Sequence, residues 1–174
     1  MPLTAKELER FRDFEDAIKD EIVGLGSEAS FESALLKVFE PILVEQGDSQ
    51  EILLVSHEDT TGRNRCKFDG YCLNESVDRI DLFIGYYVKE KDAQVSWSDI
   101  EKVAYKAART LRYAANEDFE RFNGEAKDAV ETISKELQRS LRISSTFHQI
   151  VVNILTNNRH NRTKITSKTY LDRP

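Results

Sequence analysis

The segment Ile80-Asp81-Leu82-Phe83-Ile84 constrains the fold most, because its apolar character is almost uninterrupted. Strands that are covered on both faces have this character, whereas strands with one solvated face alternate between apolar and polar residues. We therefore predict that a strand over residues 78–88 lies inside a sheet. A second strand is predicted over residues 66–73, and the turn Asn74-Glu75-Ser76 joins the two into a hairpin.

Helical patterns surround this hairpin. Apolar residues recur at helical spacing over residues 4–23, over 31–43 with an interruption at Pro41, and over 98–115 and 123–140. Further strands are predicted over residues 51–56, 147–155 and 164–170. The predicted order is α-α-β-β-β-α-α-β-β, which indicates an α/β (α+β) fold with a mixed sheet flanked by helices.

Two capping boxes predict where helices begin. In Thr4-Ala-Lys-Glu7 and Ser98-Asp-Ile-Glu101, the hydroxyl and the carboxylate each satisfy a free backbone N–H group. The first helix carries Phe11, Phe14 and Ile18 on one stripe, and such a stripe has to be buried. We expect it to pack on the sheet or on the second helix, with dimerisation as the alternative.

Length and composition indicate one domain over residues 1–174, with no secretory signal and no apolar run that spans a bilayer. Cys66 and Cys72 lie six residues apart in one predicted strand, which separates them by roughly 20 Å. A disulfide needs Cα atoms within about 7 Å, so these two cannot pair. Because the spacing also fits no zinc site, we expect a reduced, cytoplasmic protein.

The net charge of −6 argues against a broad nucleic-acid-binding face. It leaves room for a local basic patch, and basic residues cluster after residue 139. Arg159, Arg162 and Lys164 are the candidates for nucleic-acid contact in this cluster. The alternative is a solvated loop followed by an edge strand.

The order helix, hairpin, helix, strand is the core order of restriction-nuclease-like folds. Such nucleases place an Asp on the first hairpin strand, and an acidic or Gln residue followed two positions later by Lys on the next. Two carboxylates hold a Mg²⁺ ion that activates water, and the Lys stabilises developing charge. Residues two apart on a strand face the same way, so both reach the metal.

Four segments carry a family resemblance: Gly62-Arg-Asn-Arg-Cys-Lys-Phe-Asp69-Gly70-Tyr71, Arg79-Ile-Asp-Leu-Phe-Ile-Gly-Tyr-Tyr87, Ile150-Val-Val-Asn-Ile-Leu-Thr-Asn157 and Tyr170-Leu-Asp-Arg173. In order and spacing they resemble the N-terminal domain of AIPR (abortive infection phage resistance) proteins. The resemblance implies that Asp69 stands at the first acidic position. The Gln or Glu position falls on Ile84, and the Lys position falls on Tyr86.

Neither Ile84 nor Tyr86 can bind a metal or supply a positive charge there. The resemblance therefore implies a non-catalytic nuclease-like domain, without a cofactor, that serves recognition, assembly or regulation in bacterial phage defence. Its expected partners are a missing C-terminal part of the same protein and a second copy of the chain. No membrane contact is expected, and nucleic acid is a possible partner that the net charge does not favour.

Two other functions remain open. One is a weak Mg²⁺-dependent nuclease that uses Asp69 as a metal ligand with Asp81 or Glu75, and the other is a generic protein-interaction module. Asp69-Gly70 also has a purely structural interpretation as a turn or bulge with Gly at positive φ. His57, Glu58 and Asp59 are expected in a polar loop, where they either contact a metal or simply face solvent.

Overall fold

A computed structural model of the chain describes residues 4–25, 30–45, 51–59, 65–74, 78–88, 95–143 and 149–157. They form four helices, α1 (Ala5–Leu25), α2 (Phe31–Glu45), α3 (Trp97–Ala115) and α4 (Gly124–Ile143). The four strands are β1 (Leu53–Glu58), β2 (Lys67–Asn74), β3 (Arg79–Tyr86) and β4 (Gln149–Thr156). The first eight predicted elements are confirmed, and the predicted strand 164–170 lies outside the described residues.

The strands form one mixed sheet in the order β1-β2-β3-β4. β1, β2 and β3 are successively antiparallel, whereas β3 and β4 run parallel, from the pair Arg79↔Gln149 to the pair Tyr86↔Thr156. Helices α3 and α4 make the connection that a parallel pair requires. β2 and β3 are the inner strands of the described sheet, which confirms the central position predicted for the hairpin.

Helices cover both faces of the sheet. On one face the main core joins β2 and β3 to α3 and α4 through large buried side chains, among them Phe68, Leu82, Ile84, Leu111 and Ile133. On the other face α2 places Leu36 against Ile52, Cys72 and Phe83.

α1 packs on α2. Its Ile18 is fully buried with Ala34 and Leu35 of α2, and the rings of Phe14 and Phe39 meet edge to face at 5.2 Å. Phe14 and Ile18 of the apolar stripe therefore pack on the second helix, which is one of the arrangements that the pattern predicts, and the side chain of Phe11 lies outside the described residues.

Three local predictions are wrong. The N-cap of α3 is Ser96, two residues before the predicted cap Ser98. The hydroxyl of Ser96, and not that of Ser98, accepts from the N–H of Asp99 at 3.2 Å. α2 continues through Pro41 to Glu45. His57 and Glu58 belong to β1 and not to a loop.

Cys66 and Cys72 are both free thiols, as predicted, and both are buried. Cys66 belongs to the core beneath α3 and α4, and Cys72 lies against α2 on the opposite face of the sheet. Among the residues described, no helix is long and apolar enough to cross a membrane.

Candidate functional site

Asp69 lies where the regular pairing of β2 is interrupted. The register between β1 and β2 shifts between Leu54 and His57, and the pairing of β2 with β3 begins only at Gly70↔Phe83. This is a β-bulge whose extra residue lies on β1, because Val55 and Ser56 stand opposite the single residue Asp69 of β2. The bulge therefore adjoins Asp69-Gly70 but does not lie in it, and the positive φ expected for Gly70 is wrong.

The space around Gly70 is tight, and its backbone angles are ones that other residues also adopt. A Cβ built there would lie 3.0 Å from Cδ2 of Leu36 and 3.1 Å from Cγ2 of Ile52. The sheet at Gly70 therefore contacts α2 closely, next to the bulge of β1.

The carboxylate of Asp69 is buried and bonded at both oxygens. Ser56 on β1 donates its hydroxyl to Oδ1 at 2.7 Å, and the backbone N–H of Gly85 on β3 donates to Oδ2 at 2.9 Å. The residue is only 2% exposed. Burial raises the pKa of Asp69, while Lys67 and the two hydrogen bonds act in the opposite direction. Asp69 thus joins the three antiparallel strands where a backbone pair is missing.

Lys67 places a positive charge among three carboxylates. Its Nζ lies 3.8 Å from Oδ2 of Asp69, 3.5 Å from Oε2 of Glu58 and 3.9 Å from Oε1 of Glu32. We call Lys67, Asp69, Glu58 and Glu32 the Lys67 cluster. The side chain of Lys67 is 10% exposed, so these charges interact in a partly desolvated environment.

A second lysine completes the charge balance at Glu58. Lys106 on α3 is hydrogen-bonded to Oε1 of Glu58. Burial alone would raise the pKa of Glu58, but Lys106 and Lys67 outweigh it, and the pKa is lowered. Glu58 therefore stays ionised and links the Lys67 cluster to α3.

The first turn of α2 brings Glu32 to the cluster. A Cβ built on Gly85 would lie 2.7 Å from Cα of Glu32 and 2.8 Å from its carbonyl oxygen. Only glycine permits an approach this close between a helix backbone and a strand. Gly85 thus has two roles, because it seats α2 and donates its N–H to Asp69.

The structure does not bring Ile84 and Tyr86, the residues expected at the Gln or Glu position and at the Lys position, to the carboxylate of Asp69. Ile84 is fully buried in the core beneath α3 and α4, and Tyr86 packs against the same core. Asp69 bonds to Gly85 and Lys67 on the side of α2. The face toward α2 at this point of β3 is occupied by Gly85, which has no side chain.

Asp81 belongs to a separate polar group. It accepts from Nε of Arg79 at 2.8 Å and from Nδ2 of Asn153 at 3.2 Å. In the register it lies opposite Cys72, which is about 10 Å along β2 from Asp69. The remaining candidates, Glu75, Arg159, Arg162 and Lys164, lie outside the described residues.

His57 packs against aromatic rings. Its ring centroid is 4.7 Å from that of Phe122 and 6.2 Å from that of Phe68. Nε2 is buried without a hydrogen-bond partner in the described part of the chain, and burial lowers the pKa of the imidazole. Asp59 is bonded instead to Arg121 at 3.0 Å. Among the residues described, no three His, Cys, Asp or Glu side chains are grouped to hold a metal ion.

These features define a class: an α+β domain with a four-stranded mixed sheet and a buried lysine–carboxylate cluster beneath a helix. Residues 36–174 match the family described as the abortive infection phage resistance protein N-terminal domain. Because the match covers most of the chain, the protein belongs to this family, as the sequence motifs predicted. No curated protein and no solved structure gave a significant match.

Proposed function

We propose that this domain is a non-catalytic, nuclease-like part of a bacterial phage-defence protein that acts through abortive infection. Membership of the family supports the role in defence. The order α2, antiparallel β1 to β3, then helices, then parallel β4 supports the nuclease-like core. The domain would serve recognition, assembly or regulation in the cytoplasm. The effector step would belong to another part of the protein or to self-association.

The position of Lys67 is the observation that carries this proposal. Restriction-nuclease-like enzymes need a Mg²⁺ ion, whose ligands are oxygen atoms at about 2.0–2.1 Å. Both oxygens of Asp69 already accept hydrogen bonds, and the ammonium group of Lys67 lies 3.8 Å from Oδ2. The described residues do not fit a magnesium site, because both oxygens of Asp69 are already bonded and no three of the described His, Cys, Asp or Glu side chains are grouped to hold an ion.

The charge inventory supports the same conclusion. A nuclease of this kind needs a second metal ligand and a cation on β3, and these two positions fall on Ile84 and Tyr86. Loss of one preorganised charge-stabilising group typically lowers the rate about 10²–10³-fold. With both groups replaced, the domain should give no cleavage above background.

A cleavage assay tests the proposal. Plasmid DNA, a single-stranded oligonucleotide and an RNA are incubated with the wild-type chain and either Mg²⁺ or Mn²⁺. Asp69→Asn and Glu32→Gln serve as matched variants, because each removes one charge of the Lys67 cluster while keeping the side-chain shape. We expect no cleavage by any of the three proteins. Metal-dependent cleavage by the wild type that both variants lose would refute the proposal and establish a nuclease using Asp69 and Glu32.

A further inference from the structure

The outer face of α3 carries cations at helical spacing. Lys102, Arg109 and Arg112 follow one another at intervals of seven and three residues, so they lie on one side of the helix. Their Cα atoms extend over about 15 Å of the helix axis at ~1.5 Å per residue. The buried side of α3 is the opposite one, which packs Val103, Ala107 and Leu111 into the core.

An aromatic ring lies between these cations. Tyr105 follows Lys102 by three residues and precedes Arg109 by four, and it is 51% exposed. Arg109 also donates from Nη1 to the carbonyl oxygen of Arg65 at 3.2 Å, which places the backbone of the exposed residue Arg65 beside the middle of the helix. We call Lys102, Tyr105, Arg109, Arg112 and Arg65 the α3 basic face.

The acidic residues of α3 lie at its start, where Asp99 pairs with Lys102 at 3.0 Å on the exposed surface. Asp99 and Glu101 both lie near the helix start, where Asp99 bonds to Ser96 and Lys102, and Glu101 accepts from the Trp97 indole. Beyond the helix end, Glu117 lines a groove with residues of α4. The half of the α3 basic face from Tyr105 to Arg112 therefore presents cations without an acidic residue of the helix between them.

We propose that the α3 basic face binds single-stranded nucleic acid. Cations that follow a backbone, combined with an exposed ring on which a base stacks, are the elements of single-strand binding without sequence preference. The protein as a whole carries −6, so this contact is local and confined to a few phosphates. The proposal deepens the recognition role proposed above and rests on it. The partner is defined by phosphate and base together, which an acidic polypeptide does not offer.

The test compares two charge reversals of equal size. Lys102→Glu with Arg112→Glu removes two cations from the α3 basic face. Lys127→Glu with Lys135→Glu makes the same change at exposed positions of α4. Each double variant lowers the net charge from −6 to about −10, so the two differ in where the charge changes and not in how much. Binding of a fluorescein-labelled 20-nucleotide oligothymidylate is followed by anisotropy from low to moderate salt, with circular dichroism to confirm that each variant is folded.

We expect the wild type to bind with a Kd of about 1–100 μM at physiological salt and more tightly at low salt. The α3 double variant should lose about 10-fold or more, and its salt dependence should fall by about 1.4 in slope for two lost phosphate contacts. The Kd of the α4 double variant should lie within about 2-fold of the value that the added negative charge alone would give. Tyr105→Ala should weaken binding about 5-fold or more, whereas Tyr105→Phe should retain it.

Three results would overturn the inference: no binding by the wild type at low salt, equal losses in the two double variants, or equally effective competition by polyglutamate. The last result would assign the face to an acidic polypeptide. The same samples are run on a denaturing gel with Mg²⁺. Shortened oligonucleotide would refute the non-catalytic function and leave the anisotropy result unchanged. Failure of the proposed function is therefore distinguishable from failure of the binding proposal.

Discussion

Glu32 and Gly85 approach so closely that a methyl group on Gly85 would lie 2.7 Å from Cα of Glu32. Since backbone atoms cannot move aside as a flexible side chain can, Gly85→Ala must displace the first turn of α2. We expect the free energy of unfolding to fall by about 1–3 kcal/mol, measured by urea denaturation. Gly24→Ala is the matched control, because no atom lies within 4 Å of its added Cβ. It should leave stability unchanged or raise it by up to about 1 kcal/mol.

Removal of the central cation should destabilise the domain. Lys67→Met leaves Asp69 buried with its nearest cation gone, and loss of one partner of a buried ion pair typically costs about 3–5 kcal/mol. We expect about 3 kcal/mol, because Glu58 is 37% exposed and water screens part of the charge. Combining Lys67→Met with Asp69→Asn should recover much of this loss in the same urea experiment. A double variant less stable than Lys67→Met alone would contradict the pairing.

His57 should make stability dependent on pH. Burial lowers the pKa of His57 below its ordinary 6.5, so the folded state favours the neutral ring. The unfolded chain then binds the proton more readily, and stability present above about pH 6.5 is lost as the pH falls toward the lowered pKa. His57→Phe should flatten this slope in thermal unfolding between pH 7 and pH 5. Tyr105→Phe leaves His57 unchanged and should retain the pH dependence of the wild type. Identical slopes in the wild type and His57→Phe would disprove the assignment.

The start of α3 offers a direct comparison of two serines. Ser96 accepts from the N–H of Asp99, so Ser96→Ala should destabilise the protein by about 1 kcal/mol. Ser98 is within the helix, and in the described part of the chain its hydroxyl bonds only to that of Ser96, so Ser98→Ala should change stability by less than about 0.5 kcal/mol. Chemical denaturation of both variants measures the difference, and the reverse ranking would restore the capping box first expected at Ser98.

Sequence periodicity predicted the elements well because each described helix and strand has a clear apolar pattern. The apolar run Ile80 to Ile84 correctly placed β3 inside the sheet, and the stripe of α1 correctly required a cover. The cap at Ser96 was missed because Ser96 and Ser98 both precede a carboxylate at a suitable distance, and only the backbone geometry distinguishes them.

The candidate site was predicted only in part. Asp69 was identified from the sequence, and Lys67, two positions before it on the same strand, could have been found from strand parity. Glu32 and Ser56 come from elements 37 and 13 residues away from Asp69, and no local pattern links them to it. The two residues of β1 opposite Asp69 shift the β1–β2 register at this point, so the relation of Asp69 to Ile84 depends on the folded sheet.

The pairing of β3 with β4 has a consequence for how the chain folds. Arg79 pairs with Gln149, so 70 residues separate the partners along the chain. Contacts of such sequence separation close late and slow folding, whereas the β2–β3 hairpin and the α3–α4 pair can form early. On a ribosome that adds ~5–20 residues per second, roughly 4–14 s pass between the synthesis of β3 and that of its partner strand β4. During that interval the apolar edge of β3 is available to any other strand, so nascent chains that stop before β4 should be the species most dependent on chaperones.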